Sequence, residues 1–150
     1  MSTPKPYIIC DIDGTISDAT HRQHYVQKNP KNWSAFFSQC VYDKPITDII
    51  DLINIFYDLY YKIILVSGRS NIVREQTERW IINHSVPYHK LFMRGDRDYR
   101  PDDIIKEEMY LTLIKPWHGE PKYVLDDRDR VVKMWRKHGL RCLQVAPGNF

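Results

Sequence analysis

Residues 7–15 read Tyr-Ile-Ile-Cys-Asp-Ile-Asp-Gly-Thr, a short apolar run that passes directly into acidic residues. The run from 7 to 10 is continuous rather than alternating, which is typical of a parallel strand buried on both faces. Gly14 then indicates that the chain turns after Asp11 and Asp13. A buried strand that ends in carboxylates predicts an α/β protein whose ligand lies beyond the carboxyl ends of the strands.

Four more apolar runs and four helical patterns extend this prediction along the chain. The predicted strands are Tyr7–Cys10, Ile63–Val66, Lys90–Met93, Tyr123–Leu125 and Arg141–Val145. The first predicted helix has Pro45 in its first turn and ends near 60, and the second follows the possible caps Ser70 and Asn71 and ends near 84. The third covers 102–113, and the fourth begins near 129 and ends at Gly139. Because strands and helices alternate, we predict a doubly wound, Rossmann-like α/β fold with a central parallel sheet of about five strands.

The segment from 17 to 44 interrupts this alternation. It follows the first strand directly and mixes aromatic residues, among them Trp33 and Phe36, with polar ones. We predict a short helix over Asn32–Cys40 within a small helical cap that covers the edge of the sheet. The expected organisation is therefore a single domain over 1–150 with a cap insertion at roughly 17–44.

Composition excludes several classes of protein. No apolar run reaches the roughly 18 residues that a membrane helix needs, and the first residues lack the apolar segment of a secretory signal. We therefore expect a cytoplasmic protein with no membrane partner. The three cysteines are widely spaced and odd in number, which argues against a disulfide scaffold. The net charge of +3 permits a phosphate-bearing partner without demonstrating one.

Acidic residues follow two of the predicted strands at the point where each ends. Asp11 and Asp13 follow the first strand, and Asp126 and Asp127 follow the fourth. Each pair alone also fits an ordinary turn or a helix N-terminus. Together at one edge of the sheet, the carboxylates would repel one another without a cation. The set of four therefore predicts a Mg²⁺ site.

Basic and hydroxyl residues near these strand ends are candidates for binding phosphate. Ser67 and Gly68 precede a helix, so they can hold phosphate oxygens at its positive end or form an ordinary capping turn. Arg22 and Arg69 can bind phosphate as forks or simply be solvated. Lys106 lies four residues after Asp102, which also fits a surface ion pair.

The order of these residues resembles the pattern of the haloacid dehalogenase-like (HAD) phosphohydrolases. That pattern is Asp11-x-Asp13-Gly14-Thr15, then Ser67, then Lys106, then Asp126-Asp127. Within the superfamily, the sequence is similar to the 3′-phosphatase domain of phage polynucleotide kinases over nearly its whole length. The similarity is densest at 66–69, 102–108 and 125–146, and Arg22 matches an arginine important in that family.

The resemblance implies a HAD fold and a Mg²⁺-dependent phosphomonoester hydrolase. In that mechanism Asp11 attacks phosphorus to form an aspartyl-phosphate, and Asp13 acts as acid and base. Asp11, the Asp13 carbonyl and Asp126 hold the metal, with Asp127 close by. Ser67 and Lys106 are the remaining catalytic residues and hold the phosphoryl oxygens. The resemblance also implies that Arg22 and Arg69 clamp the substrate phosphate and that Asp102 orients Lys106. The full set of implied substrate-binding residues is Thr15, Arg22, Gly68, Arg69 and Asp102.

The expected substrate is a phosphorylated nucleic-acid end or a nucleotide, with polynucleotide 3′-phosphatase activity as the leading hypothesis. No P-loop GxxxxGK[ST] is present, so 5′-kinase activity is not expected. The segment over 21–44 is longer than in the phage domain, which leaves a nucleoside 5′-monophosphatase open, with Trp33 or Phe36 stacking on the base. A second alternative is a catalytically inactive nucleic-acid-binding or scaffold protein. The oligomeric state and the choice between DNA and RNA stay open.

Overall fold

The computed structural model describes residues 3–150, and its largest sheet has five strands. These strands are β1 (Tyr7–Cys10), β4 (Lys62–Ser70), β5 (Lys90–Arg94), β6 (Tyr123–Asp126) and β7 (Cys142–Gln144). All of them pair in parallel, in the order β5-β4-β1-β6-β7. The predicted doubly wound α/β fold with about five parallel strands is therefore confirmed.

Helices cover both faces of this sheet. The main ones are α3 (Thr47–Asp58), α4 (Arg74–Asn83), α5 (Asp102–Met109) and α7 (Asp129–Lys137), and a short α6 covers Lys115–His118. Alternate residues of each strand enter opposite layers: Ile8 packs with α3 and α4, whereas Ile9 packs with α5 and α7. Burial on both faces explains why the strands are continuous apolar runs in the sequence.

Three predicted boundaries are wrong. Pro45 does not begin a helix; it pairs with Ser17 in a two-stranded ribbon. β4 does not end at Val66 but continues to Ser70 through an irregularity in its pairing with β5. The helix predicted over 102–113 continues through a π-turn into α6, where Pro116 has no N–H to donate to the preceding turn.

The ribbon of β2 (Ser17–Asp18) and β3 (Lys44–Pro45) closes the segment that follows β1. Between its strands lie α1 (His24–Gln27) and α2 (Trp33–Ser38), so a short helix does occur within the expected 32–40 region. The side chain of Asn32 caps α2 by accepting a hydrogen bond from the N–H of Ala35 at 3.0 Å. The segment packs onto the α3 and α4 layer, because Cys40 is fully buried there.

The position of β1 in the sheet determines where a ligand can bind. The chain leaves β1 toward β4 and β5 on one side and returns to β6 and β7 on the other. Connections that diverge from neighbouring strands open a crevice at the carboxyl edge, here between β1 and β6. Among the described residues, no helix combines the length and apolar character required to cross a membrane.

Candidate active site

Asp11 follows β1 directly and lies in this crevice. Its backbone N–H donates to the carbonyl of Leu125 at 2.9 Å, which extends the pairing between β1 and β6 by one residue. Its Oδ1 accepts a hydrogen bond from Lys106 at 2.8 Å, and its Oδ2 accepts one from the Thr15 hydroxyl at 3.0 Å. Thr15, expected to bind substrate, thus orients the carboxylate of Asp11.

Three buried carboxylates come together at this point. Asp11, Asp126 and Asp127 each offer an oxygen, and these oxygens lie within 4.8 Å of one another. Lys106 is the cation beside them, and its Nζ also donates to Asp126 Oδ2 at 3.0 Å. One lysine leaves the cluster with uncompensated negative charge, and hard oxygen ligands are those that Mg²⁺ prefers. The donor set therefore fits the expected metal.

The electrostatics of the cluster reflect this excess of negative charge. Burial and the neighbouring Asp126 raise the pKa of Asp11 well above its usual range. Burial also raises the pKa of Asp127 to about 6. Burial alone would lower the pKa of Lys106, but the charges of Asp11 and Asp126 outweigh it and raise that pKa. The positive charge of a divalent cation would lower the pKa values of these carboxyl groups and so favour their ionised forms.

Hydrogen bonds at the end of β6 hold the side chain of Asp126, and Asp127 follows it directly. Trp135 of α7 donates its indole N–H to Asp126 Oδ2 at 3.2 Å, and the N–H of Asp127 donates to Asp126 Oδ1 at 2.9 Å. Opposite them, Gly14 adopts a positive φ of 82°, and a Cβ there would lie 2.0 Å from Asp127 Oδ2. The glycine after Asp13 thus allows the turn and the close approach of Asp127.

Asp13 faces two arginines rather than the carboxylate cluster. Its Oδ1 accepts hydrogen bonds from Arg22 Nη2 at 2.6 Å and from Arg69 Nη2 at 2.7 Å and Nε at 3.0 Å. Its Oδ2 accepts none from residues 3–150, and the side chain is 28% exposed. Burial would raise the pKa of Asp13, but the charges of Arg69 and Arg22 outweigh it and lower that pKa.

Sequence reasoning missed Asp43, which completes this network. Its side chain is fully buried and accepts from Arg22 Nε at 2.8 Å, Arg69 Nη2 at 2.9 Å and the Ser17 hydroxyl at 2.5 Å. His21 Nε2 lies 2.7 Å from its Oδ1. No motif marks Asp43 in the sequence; its position just before β3 is the sole local signal. Arg22 and Arg69 are both 0% exposed and bound to carboxylates.

The remaining predicted residues lie around the end of β4. Ser67 is buried, and its Oγ accepts a hydrogen bond from the N–H of Arg69 at 3.0 Å. It lies within β4 and not at the N-terminus of α4, so one of the two alternatives left open by the sequence, a phosphate site at that helix end, does not describe its position. A Cβ on Gly68 would lie 2.8 Å from Asp102 Oδ1, so the glycine allows this carboxylate to approach the strand.

Asp102 was expected to orient Lys106, but its hydrogen bonds go elsewhere. One oxygen accepts from Arg94, and the other accepts from Arg128 at 2.8 Å. Among the residues that the structure describes, it forms no hydrogen bond with Lys106, although its charge contributes to the raised pKa of that lysine. Asp102 therefore ties the β5 end of the site to the loop that carries Asp127.

Comparison with known proteins identifies what this arrangement is similar to. The family model described as the polynucleotide kinase PNKP phosphatase domain matches residues 5–150. A protein of Autographa californica nuclear polyhedrosis virus, named as a bifunctional polynucleotide kinase/RNA ligase, is 30% identical over 131 residues. That match covers 86% of this chain and 17% of the viral protein.

Solved structures with a similar fold include a chain of an RNA repair complex and a hydrolase. A chain of the Pnkp1/Rnl/Hen1 RNA repair complex is 37% identical with a TM-score of 0.81, over 99% of this chain and 45% of that one. A haloacid dehalogenase-like hydrolase from Streptococcus pneumoniae is 14% identical with a TM-score of 0.63, over 93% and 84% of the two chains, and shows the fold alone. The chain thus spans about half of the repair-complex chain. The family match supports a HAD-type phosphatase enzyme over an inactive scaffold.

Proposed function

The chain belongs to the family of polynucleotide kinase PNKP phosphatase domains, and from this premise we propose that it removes the phosphate from the 3′ end of a polynucleotide. The observation that carries the proposal is the gathering of Asp11, Asp126 and Asp127 beside Lys106 at the carboxyl edge of the sheet. A phosphate monoester hydrolyses extremely slowly in water, so the site must supply a large reduction of the barrier.

Asp11 is the nucleophile of the proposed reaction. Thr15 and Lys106 each hold one of its oxygens, which fixes the direction in which the carboxylate faces the crevice. Attack of a carboxylate oxygen on phosphorus forms an aspartyl-phosphate and releases the 3′ oxygen of the strand. Such positioning is a large part of the catalysis of phosphoryl transfer, because the transition state needs little other covalent chemistry.

Asp13 is the acid and base of the proposed reaction. Arg22 and Arg69 both bind its Oδ1, which leaves Oδ2 available to protonate the leaving 3′ oxygen. The same carboxylate then takes a proton from the water that attacks the aspartyl-phosphate, which breaks its bond to Asp11 and releases inorganic phosphate. The two arginines favour the ionised form before substrate binds. A substrate phosphate brings negative charge, which raises the pKa of a neighbouring carboxyl and favours the protonated form that the first step requires.

Lys106 and a divalent cation balance the charge of the site. Asp11, Asp126, Asp127 and the carbonyl of Asp13 would hold Mg²⁺, which supplies electrostatic stabilisation of the negative charge on the phosphoryl oxygens. Lys106 already pairs with two of these carboxylates, so it can stabilise phosphoryl oxygens from the same position. Ser67, on the neighbouring strand, contributes its hydroxyl to the same group.

Arg22 and Arg69 act through Asp13 in this proposal. Both guanidinium groups are bound by Asp13 and Asp43, and neither is exposed to solvent. A direct clamp on substrate phosphate would require them to leave these carboxylates. Their hydrogen bonds hold Oδ1 of Asp13, so they orient the acid and base while Asp43 fixes their own positions.

The test offers three phosphomonoesters to the same protein with Mg²⁺: a 3′-phosphorylated oligonucleotide, a 5′-phosphorylated oligonucleotide and a free nucleoside 5′-monophosphate. We expect the highest kcat/KM for the 3′-phosphorylated oligonucleotide. The Asp11→Asn variant provides the blank, and its rate should fall at least about 1000-fold because the nucleophile is lost. Asp51→Asn, which neutralises an exposed carboxylate on α3, should leave the rate unchanged.

The outcomes separate the alternatives. Preference for the free nucleotide would replace the proposal with a nucleoside 5′-monophosphatase. A near-normal rate for Asp11→Asn would remove the covalent mechanism whatever the substrate. Full activity in excess chelator would show that the carboxylate cluster does not act through a cation.

A further inference from the structure

The loop between β5 and α5 presents an exposed aromatic side chain at the carboxyl edge of the sheet. Tyr99 in this loop is 84% exposed. The loop begins where β5 ends, so it lies at the same edge as Asp11. Its position there is not explained by core packing.

The backbone on both sides of Tyr99 is held by one guanidinium group. Arg94 Nη1 donates to the carbonyl of Asp98 at 3.0 Å and to the carbonyl of Arg100 at 2.5 Å. The same side chain donates through Nε to the carbonyl of Gly68 at 2.8 Å and through Nη2 to Asp102. The loop is therefore fixed relative to Ser67 and to the loop that carries Asp127, which Asp102 reaches through Arg128.

A second set of bonds stiffens the loop itself. The carboxylate of Asp98 accepts hydrogen bonds from the N–H of Arg100 and from its guanidinium group. Arg100 also pairs with Glu108 of α5 at 2.5 Å. Arg97 differs from these residues: it is exposed, adopts a positive φ of 61°, and has no carboxylate partner in the described part of the chain.

We propose that this loop binds the polynucleotide strand whose 3′ end lies at Asp11, with Tyr99 stacking on a nucleobase and Arg97 binding a phosphodiester. The inference rests on the proposed function and names the element that favours a strand over a free phosphomonoester. Proteins that bind single strands combine aromatic platforms with cationic groups that follow the backbone. Because hydrogen bonds hold the backbone on both sides of Tyr99, little backbone entropy is lost when a base stacks on its ring.

The experiment compares Tyr99→Ala with wild type on two substrates. One is a 3′-phosphorylated oligonucleotide of about ten nucleotides, within the usual length of a single-strand site. The other is glycerol phosphate, which has no base. Loss of a stacking platform should lower kcat/KM on the oligonucleotide about 5- to 100-fold, mainly through KM. Glycerol phosphate should be hydrolysed within about twofold of the wild-type rate, because the loss depends on a nucleobase.

Three further variants complete the experiment. Tyr99→Trp keeps an aromatic face and should restore oligonucleotide turnover. Tyr60→Ala removes a tyrosine that is 75% exposed at the end of α3, away from the carboxyl edge, and should leave both rates unchanged. For Arg97→Ala, the slope of log KM against log salt should decrease by about one, as expected for the loss of one phosphate contact.

The inference is overturned if wild type prefers the oligonucleotide and Tyr99→Ala keeps that preference in full. It is also overturned if Tyr99→Ala slows both substrates equally, because the loop would then support the catalytic centre. If wild type does not hydrolyse the oligonucleotide at all, the proposed function fails first and the strand surface fails with it.

Discussion

Asp11 and Asp13 are two residues apart, yet different cations hold their carboxylates. Lys106 binds Asp11, whereas Arg22 and Arg69 bind Asp13. The result is a pair of acids with opposite electrostatics: burial and neighbouring acids raise the pKa of Asp11, and the arginines lower that of Asp13. The proposed reaction requires the reverse states: a bound cation would favour ionised Asp11, and the charge of the substrate phosphate would favour protonated Asp13.

The burial of Arg69 changes the expected effect of its removal. A phosphate clamp would be dispensable for stability, but Arg69 is 0% exposed and pairs with Asp13 and Asp43. We expect Arg69→Ala to lower the free energy of unfolding by about 3–5 kcal/mol, because it leaves buried charge without its partner. Urea denaturation measures this. The control is Arg79→Ala, which breaks an exposed pair with Glu75 and should change stability by less than about 1 kcal/mol.

If Arg69→Ala lost activity but kept wild-type stability, the result would indicate that Arg69 binds the substrate phosphate directly. Arg69→Lys is the second comparison. A lysine keeps the charge but cannot reproduce the fork that contacts Asp13 with both Nε and Nη2. We expect Arg69→Lys to be intermediate in stability and low in activity.

The acidic cluster predicts that Mg²⁺ stabilises the folded protein. Ligands that bind the folded state alone raise the free energy of unfolding in proportion to the logarithm of their concentration. We expect Mg²⁺ to raise the melting temperature above its value in chelator, and Asp127→Asn to reduce that shift. Asp51→Asn on the surface of α3 should leave the shift intact. Equal melting temperatures for the wild type with Mg²⁺ and with chelator would argue against a cation at this cluster.

At the scale of the elements, the turn after β1 tolerates little change. Gly14 combines a left-handed backbone with close contact to Asp127. β4 and β6 then place their own polar residues on either side of β1 through parallel pairing. The turn after β1 therefore carries the proposed nucleophile and the proposed acid, and it determines how closely Asp127 approaches them.

The two functions of Gly14 can be separated by comparing it with Gly139. Both have positive φ, 82° and 76°, but a Cβ on Gly139 meets nothing within 4 Å. Gly139→Ala should therefore cost about 1 kcal/mol from backbone strain alone. Gly14→Ala should cost more, displace Asp127 and lower the affinity for Mg²⁺, as measured by calorimetry. Equal stability and unchanged Mg²⁺ affinity in the two variants would refute this assignment.

At the scale of the whole molecule, one sheet separates two apolar layers and presents its chemistry at a single edge. The cysteines illustrate how completely these layers are closed: Cys10, Cys40 and Cys142 are all buried as free thiols. Burial raises the pKa of each thiol, that of Cys142 to about 12. The thiolate is the reactive form, so these groups are inert in the folded protein.

Thiol labelling should therefore report global unfolding. At pH 8.5, where an ordinary cysteine is about half ionised, we expect no labelling of the native protein over the time in which the urea-unfolded protein reacts fully. The folded protein also favours the protonated thiols, because their pKa values are higher there than in the unfolded chain. This preference stabilises the folded state fully below pH about 8.5, and the stabilisation is lost as the pH rises toward the thiol pKa values of the folded protein. Rapid labelling of the native protein would show that a layer opens locally.

The sequence determined the strands, the main helices and the acidic residues at the strand ends, because these follow from local runs of apolar residues and the turns that bound them. The membership of Lys106 in the site came from a family pattern. The bonding of Asp13 to Arg69 across 56 residues, the role of Asp43 and the tie from Arg94 to Gly68 came from the tertiary structure. Such pairs carry no local signal, since only the packing of strands and loops that are distant in sequence brings charged groups within hydrogen-bond distance of one another.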